Sequence, residues 1–185
     1  MLYATFVNLL VVIGLQVFTG NANLTNFLHA AFMGIAAYAA AICVPPAAMK
    51  AIALPDAPWG LNVFALGPWA SALVAITITG VLGLFTGIFV ARLAGVGVTT
   101  VSIAILVIVH SIFLHRTKIF KGNQALFGIP QVPDWPQITV FVIIAIFATR
   151  WFRDGRFGLQ LRACAEDEIG AREMGVNVFR TRLMA

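Results

Sequence analysis

Charge is what this sequence has least of. Only 10% of its 185 residues are Asp, Glu, Lys or Arg, against 61% hydrophobic. A soluble domain carries about 25% charged and 45–50% apolar residues, so this chain lacks the polar surface that a water-exposed fold requires. The same scarcity excludes a disordered chain, which needs low hydrophobicity and high net charge. Cysteine is almost missing: Cys43 in an apolar run and Cys164 in a charged one have no metal-type spacing, which argues against a disulfide scaffold or a zinc site. No basic residue precedes Lys50, so the basic stretch that opens a secretory signal is absent and Met1–Phe18 reads as a retained span. There is no phosphate-binding Gly-x-x-x-x-Gly-Lys-Ser/Thr run, no nucleophile elbow and no paired carboxylates. No catalytic residue and no metal ligand is expected.

What charge there is lies unevenly. Ala57–Ala91 and Leu93–His115 are charge-free, while Arg150–Arg182 holds seven of the twelve basic residues and five of the seven acidic ones. A central charge costs roughly 2.5–3.5 kcal/mol on insertion scales. Charge-free runs therefore mark segments able to sit in lipid, and the mixed-sign tail marks one that is not. The sequence pI near 9.9 raises nucleic acid as a partner, but acids interleaved with the basic tail exclude a phosphate-binding stripe. The expected partner of the apolar surface is membrane lipid.

The chain divides into segments near 1–19, 27–44, 67–91, 93–115 and 136–152. The second stops at Pro45-Pro46, where proline lacks the amide hydrogen that a helix needs. Lys50–Leu66 and Arg116–Trp135 read as loops rich in turn formers, Asp56 and Asp134 among them. Gly83 and Gly87 form a small-xxx-small pair suited to helix packing. Ala94–Thr100, with two glycines and two threonines, suggests a broken or re-entrant opening to the fourth segment. Trp135 and Trp151 bracket the fifth as interfacial anchors. The expected fold is all-α: a polytopic transmembrane helical bundle of about five segments in residues 1–152, with a cytoplasmic loop over 153–185. The basic tail places Arg150 onward in the cytoplasm. Counting back puts Arg92 inside and Arg116, Lys118 and Lys121 outside, the last against the rule.

Leu159–Glu173 contains no proline and only Ile169 as a β-branched residue, which predicts one helix. Leu161, Ala165 and Ile169 recur at i+4 as a narrow apolar stripe with Cys164 beside it. Glu168 and Arg172 form an i,i+4 pair in the favourable order, and Gly175 suits the helix C-terminus. From the residues alone, this helix either docks in another protein's groove or is a solvated connector.

The run Arg156-Phe-Gly-Leu-Gln-Leu-Arg-Ala-Cys-Ala-Glu-Asp-Glu-Ile-Gly-Ala-Arg-Glu-Met-Gly175 resembles the cytoplasmic loop of branched-chain amino acid ABC permeases. Three other stretches agree in order and spacing. Asn26-Phe-Leu-His-Ala-Ala-Phe-Met-Gly-Ile-Ala-Ala-Tyr38 is similar to the family's early His-Ala-Ala-Phe segment. Arg92-Leu-Ala-Gly-Val-Gly-Val-Thr-Thr-Val-Ser102 is similar to its Arg-Leu-x-Gly stretch, and Leu126-Phe-Gly-Ile-Pro130 to its Gly-Ile-Pro loop. The pattern is closer to the LivM-type half of the LivH/LivM pair. Two departures stand out. Asn23–Leu28 replaces a glycine-containing run, and the chain stops at Arg182-Leu-Met-Ala185, where the family begins its next span, so a truncated member is expected.

The resemblance implies an importer subunit in a bacterial or archaeal plasma membrane, with no cofactor of its own because ATP is bound by a partner. Its implied partners are ABC ATPase subunits, a paralogous permease and an extracytoplasmic amino-acid binding protein. Leu161, Arg162, Ala163, Glu166, Asp167, Glu168 and Gly175 would form the ATPase-coupling helix. Asn26 and His29, polar groups in an apolar setting, are candidates for lining the pathway; the alternative for His29 is a neutral histidine held by a neighbouring helix. A urea or amide importer and a non-transport docking subunit remain as alternative functions.

Overall fold

A computed structural model describes residues 2–46, 66–93, 95–116, 120 and 134–184. These form eight helices: α1 Leu2–Ala22, α2 Leu28–Cys43, α3 Pro68–Val90, α4 Val96–His115, α5 Trp135–Asp154, α6 Arg156–Glu166, α7 Glu168–Glu173 and α8 Val178–Met184. There is no strand among the described residues. The fold is all-helical, as expected, because a segment in lipid has to satisfy its own backbone and a helix does so internally.

Among the described residues, four helices are long and apolar enough to cross a membrane. α1, α3, α4 and α5 have 21, 23, 20 and 20 residues, which at 1.5 Å per residue gives about 30–35 Å against a hydrocarbon core of about 30 Å. α2, with 16 residues, reaches only about 24 Å and is the shorter apolar helix. It stops just ahead of Pro45, where the fixed φ and missing donor forbid another turn. The loops expected at Lys50–Leu66 and Arg116–Trp135 lie largely outside the described residues. Asp134, read as a turn former, is the N-cap of α5, and its amide donates back to Gln137 Oε1 at 3.2 Å.

The chain forms two compact units. One comprises residues 1–29, 86–102 and 133–185. Within it α1 lies against α5 and α6, and α8 against α6 and α7. Leu183 of α8 approaches Gly87, where a Cβ would stand 3.4 Å from Leu183 Cδ1. The other unit comprises residues 30–85 and 103–132. Its aromatic cluster joins Tyr38, Phe113 and Phe120, with ring centroids 4.6–5.1 Å apart, and Phe32 rests against Gly83. The small-xxx-small pair thus serves packing.

The opening of α4 is broken at Gly95, inside the Ala94–Thr100 stretch, where that glycine takes φ +53°. Gly97, Thr99 and Thr100 are already helical. Thr100 Oγ1 donates to Val96 O at 3.1 Å, so this hydroxyl is satisfied inside the helix and needs no re-entrant backbone.

Candidate functional site

The tail begins with an elbow. α5 ends at Asp154, Gly155 is extended at φ −75°, ψ 168°, and α6 starts at Arg156. The last carbonyls of a helix have no partner within it, and here the Gly155 amide donates to Phe152 O at 3.2 Å. Arg162 Nη2 donates to Arg153 O at 2.9 Å. Gly158, buried, brings its backbone so close that a Cβ there would collide with Phe152 O and stand 2.6 Å from Arg153 O. Leu161, 1% exposed, anchors the elbow below.

The single helix expected over Leu159–Glu173 is interrupted at Asp167. That residue is extended at φ −148°, ψ 107°, and its carboxylate accepts the Ile169 amide at 3.0 Å. Asp favours capping a new helix over continuing an old one, because its short side chain competes for backbone donors. Gly170 makes the room: a Cβ there would stand 2.7 Å from Asp167 Oδ2. The Leu161–Ala165–Ile169 stripe is broken in consequence. Leu161 is buried, while Ile169 is 74% exposed. Met174, at the end of α7, is 86% exposed.

α7 closes as the glycine predicts. Gly175 takes φ +82°, its amide donates to Arg172 O at 2.9 Å, and the Val176 amide donates to Ala171 O at 3.0 Å. This is the paired 5→2 and 6→1 pattern of a left-handed helix end. Val176 also packs on the small core of Cys164, Ala171 and Val178. Burial pushes the Cys164 thiol above its ordinary pKa, with the Arg182 charge opposing it.

The seven residues assigned to partner coupling thus fall into different places. Ala163, Glu166 and Asp167 are exposed. Leu161 is core, Arg162 caps α5, and Gly175 sets the chain reversal. Glu168 is turned inward: its two oxygens take Arg172 Nη2 at 2.5 Å and Arg182 Nη2 at 2.7 Å. Sequence reasoning missed Gly158, the exposed Ile169–Met174 pair and Arg182. A glycine at the start of an otherwise helical run was the available signal for the first.

Asn26 and His29 sit where the α1–α2 loop meets α4. Asn26 Oδ1 accepts the Leu28 amide at 3.0 Å, which starts α2. Thr99 Oγ1 donates to Thr25 O at 3.0 Å, and Ser102 Oγ accepts the Phe27 amide at 3.2 Å while donating to Thr99 O at 2.8 Å. The loop, with Asn23 at φ +50°, is therefore stapled to α4 by two hydroxyls. His29 lies beside Gly14 of α1, where a Cβ would stand 2.8 Å from the imidazole Cε1.

The family described as the permease component of the branched-chain amino acid transport system matches the chain over residues 1–185. No curated protein and no solved structure matches it.

Proposed function

The chain belongs to the family of branched-chain amino acid transport permeases, and from that premise we propose that it is the membrane subunit of an ABC importer whose tail receives the ATPase. It is a multi-pass membrane protein and a transporter component, not itself a catalytic enzyme. In this reading α6 and α7 dock in an ATPase groove, a second permease completes the pathway, and an extracytoplasmic binding protein delivers a branched-chain amino acid. ATP binds the ATPase subunits, and their closure moves the docked helices to switch the pathway between outward and inward access. The membrane is a bacterial or archaeal plasma membrane with Arg150 onward in the cytoplasm. Arg182 Nη1 donates to Leu93 O at 3.0 Å, so the α3–α4 turn and the tail share one face. Arg92 then adds to the tail's seven basic residues on the cytoplasmic side, as the positive-inside tendency requires.

The observation that carries the proposal is the exposed pair Ile169, on α7, and Met174, at its C-terminal end, beside the exposed charges of Arg172 and Glu173. Large apolar side chains held out of a charged cytoplasmic segment suit a protein groove. Replacing both by Asp is expected to weaken ATPase retention in the detergent-purified complex by about a hundredfold or more, the cost of two lost apolar contacts at about 1.5–3 kcal/mol each. Membrane insertion stays normal. Undiminished ATPase activity in the purified variant would remove α7 as the docking element.

A further inference from the structure

Arg182 keeps only 9% of its side chain exposed. A guanidinium does not shed its charge, so burying it is costly unless every donor direction finds a partner. Its fork is used in two directions at once. Nη2 donates to Glu168 Oε2 at 2.7 Å, and Nη1 donates to Leu93 O at 3.0 Å. Glu168 starts α7, and Leu93 lies in the turn between α3 and α4. Two further contacts join the same parts. Arg92 lies 5.8 Å over the Phe179 ring, and Leu183 rests on Gly87. α8 is therefore fastened to α7 at one side and to the α3–α4 turn at the other.

Such a fastening matters because α7 is not continuous with α6. The lone extended residue Asp167 separates them, and a push on α7 could be absorbed there as rotation about one residue's dihedrals. Through Arg182 the push has another route. Leu93 leads into α4, and α4 carries Thr99 and Ser102, which hold the backbone at Thr25 and Phe27 beside Asn26 and His29.

We propose that Arg182 is a positioning residue that transmits displacement of α7 to the α3–α4 turn and, through α4, to the polar α1–α2 loop. This rests on the reading that the partner ATPase docks on α7. An exposed ion pair would be too weak for the task, but this one is largely enclosed, and the same guanidinium also holds the Leu93 carbonyl. Lysine offers a single point charge without the planar fork, and is expected to keep one of the two contacts.

The test is amide hydrogen exchange on the full transporter complex, with and without a non-hydrolysable ATP analogue. In the wild type, exchange over residues 168–174 and over 91–98 is expected to change together. In Arg182→Ala the change at 168–174 persists while that at 91–98 falls about tenfold, the equilibrium value of one charge-assisted hydrogen bond. Glu168→Gln, which keeps the side-chain shape and removes the charge, is expected to reduce the 91–98 response in the same direction and covers a folding failure of the alanine variant. An undiminished 91–98 response in both variants overturns the latch. So does a wild type in which 168–174 responds and 91–98 stays silent. If neither segment responds in the wild type, docking on α7 is itself wrong, and the latch falls with it.

Discussion

Gly158→Ala is expected to dismantle the junction between α5 and the cytoplasmic helices. The added methyl would meet Phe152 O directly and stand 2.6 Å from Arg153 O and 2.8 Å from Arg153 Cα. All three are backbone atoms, so no side-chain rotation relieves the clash. The elbow has to open, and opening it strips the Arg162–Arg153 bond and lifts Leu161 from its buried site. A backbone collision in a packed setting costs on the order of 3 kcal/mol or more. The readout is built in. Cys164 is buried behind the elbow and its thiol is pushed up by that burial, so the wild type should alkylate slowly near pH 8. The Gly158→Ala protein should alkylate rapidly, seen as a mass shift. Slow labelling of the variant would mean the helices can separate without losing their core.

The second large effect is expected at Gly14. A methyl there would stand 2.8 Å from His29 Cε1, so Gly14→Ala should displace the imidazole and destabilise the protein by about 1–3 kcal/mol. His29→Ala in the same background removes the obstacle, and the pair should recover most of the loss in a double-mutant cycle. Denaturation in detergent measures this. Uptake by the recovered double variant then decides what His29 does. Wild-type uptake makes it a packing residue, while lost uptake in a stable protein makes it part of the pathway. Additive losses in the two single variants would contradict the close contact itself.

The membrane helices were legible in the sequence because their cause is local. An apolar run free of charge, stopped by Pro45 or opened by Asp134 and Pro136, needs no tertiary information to become a helix in lipid. The tail was less legible. Leu159–Glu173 has the propensity of one helix, yet the Asp167 cap and the space left by Gly170 divide it, and the choice depends on whether Cys164, Ala171 and Val178 can close a core. Gly175 was readable because a left-handed helix end favours glycine wherever it occurs. Arg182 was not. In sequence it is one of seven basic residues that set orientation, and only the fold brings it to Leu93, 89 residues away. Gly158 and Gly14 were hidden for the same reason: the atoms that exclude a side chain at each come from another helix.

In the proposed reading this permease moves a branched-chain amino acid with force received through α6 and α7. The most direct test is ATP-dependent accumulation of radiolabelled leucine in proteoliposomes carrying the permeases, their ATPase subunits and the binding protein. Wild-type vesicles should accumulate leucine only with ATP on the ATPase side. Vesicles carrying the Ile169→Asp and Met174→Asp replacements should remain at the ATP-free level with the permease still inserted. Full accumulation by that variant would remove α7 as the ATPase contact, and wild-type vesicles that ignore leucine and accumulate urea would exclude a branched-chain amino acid as the cargo.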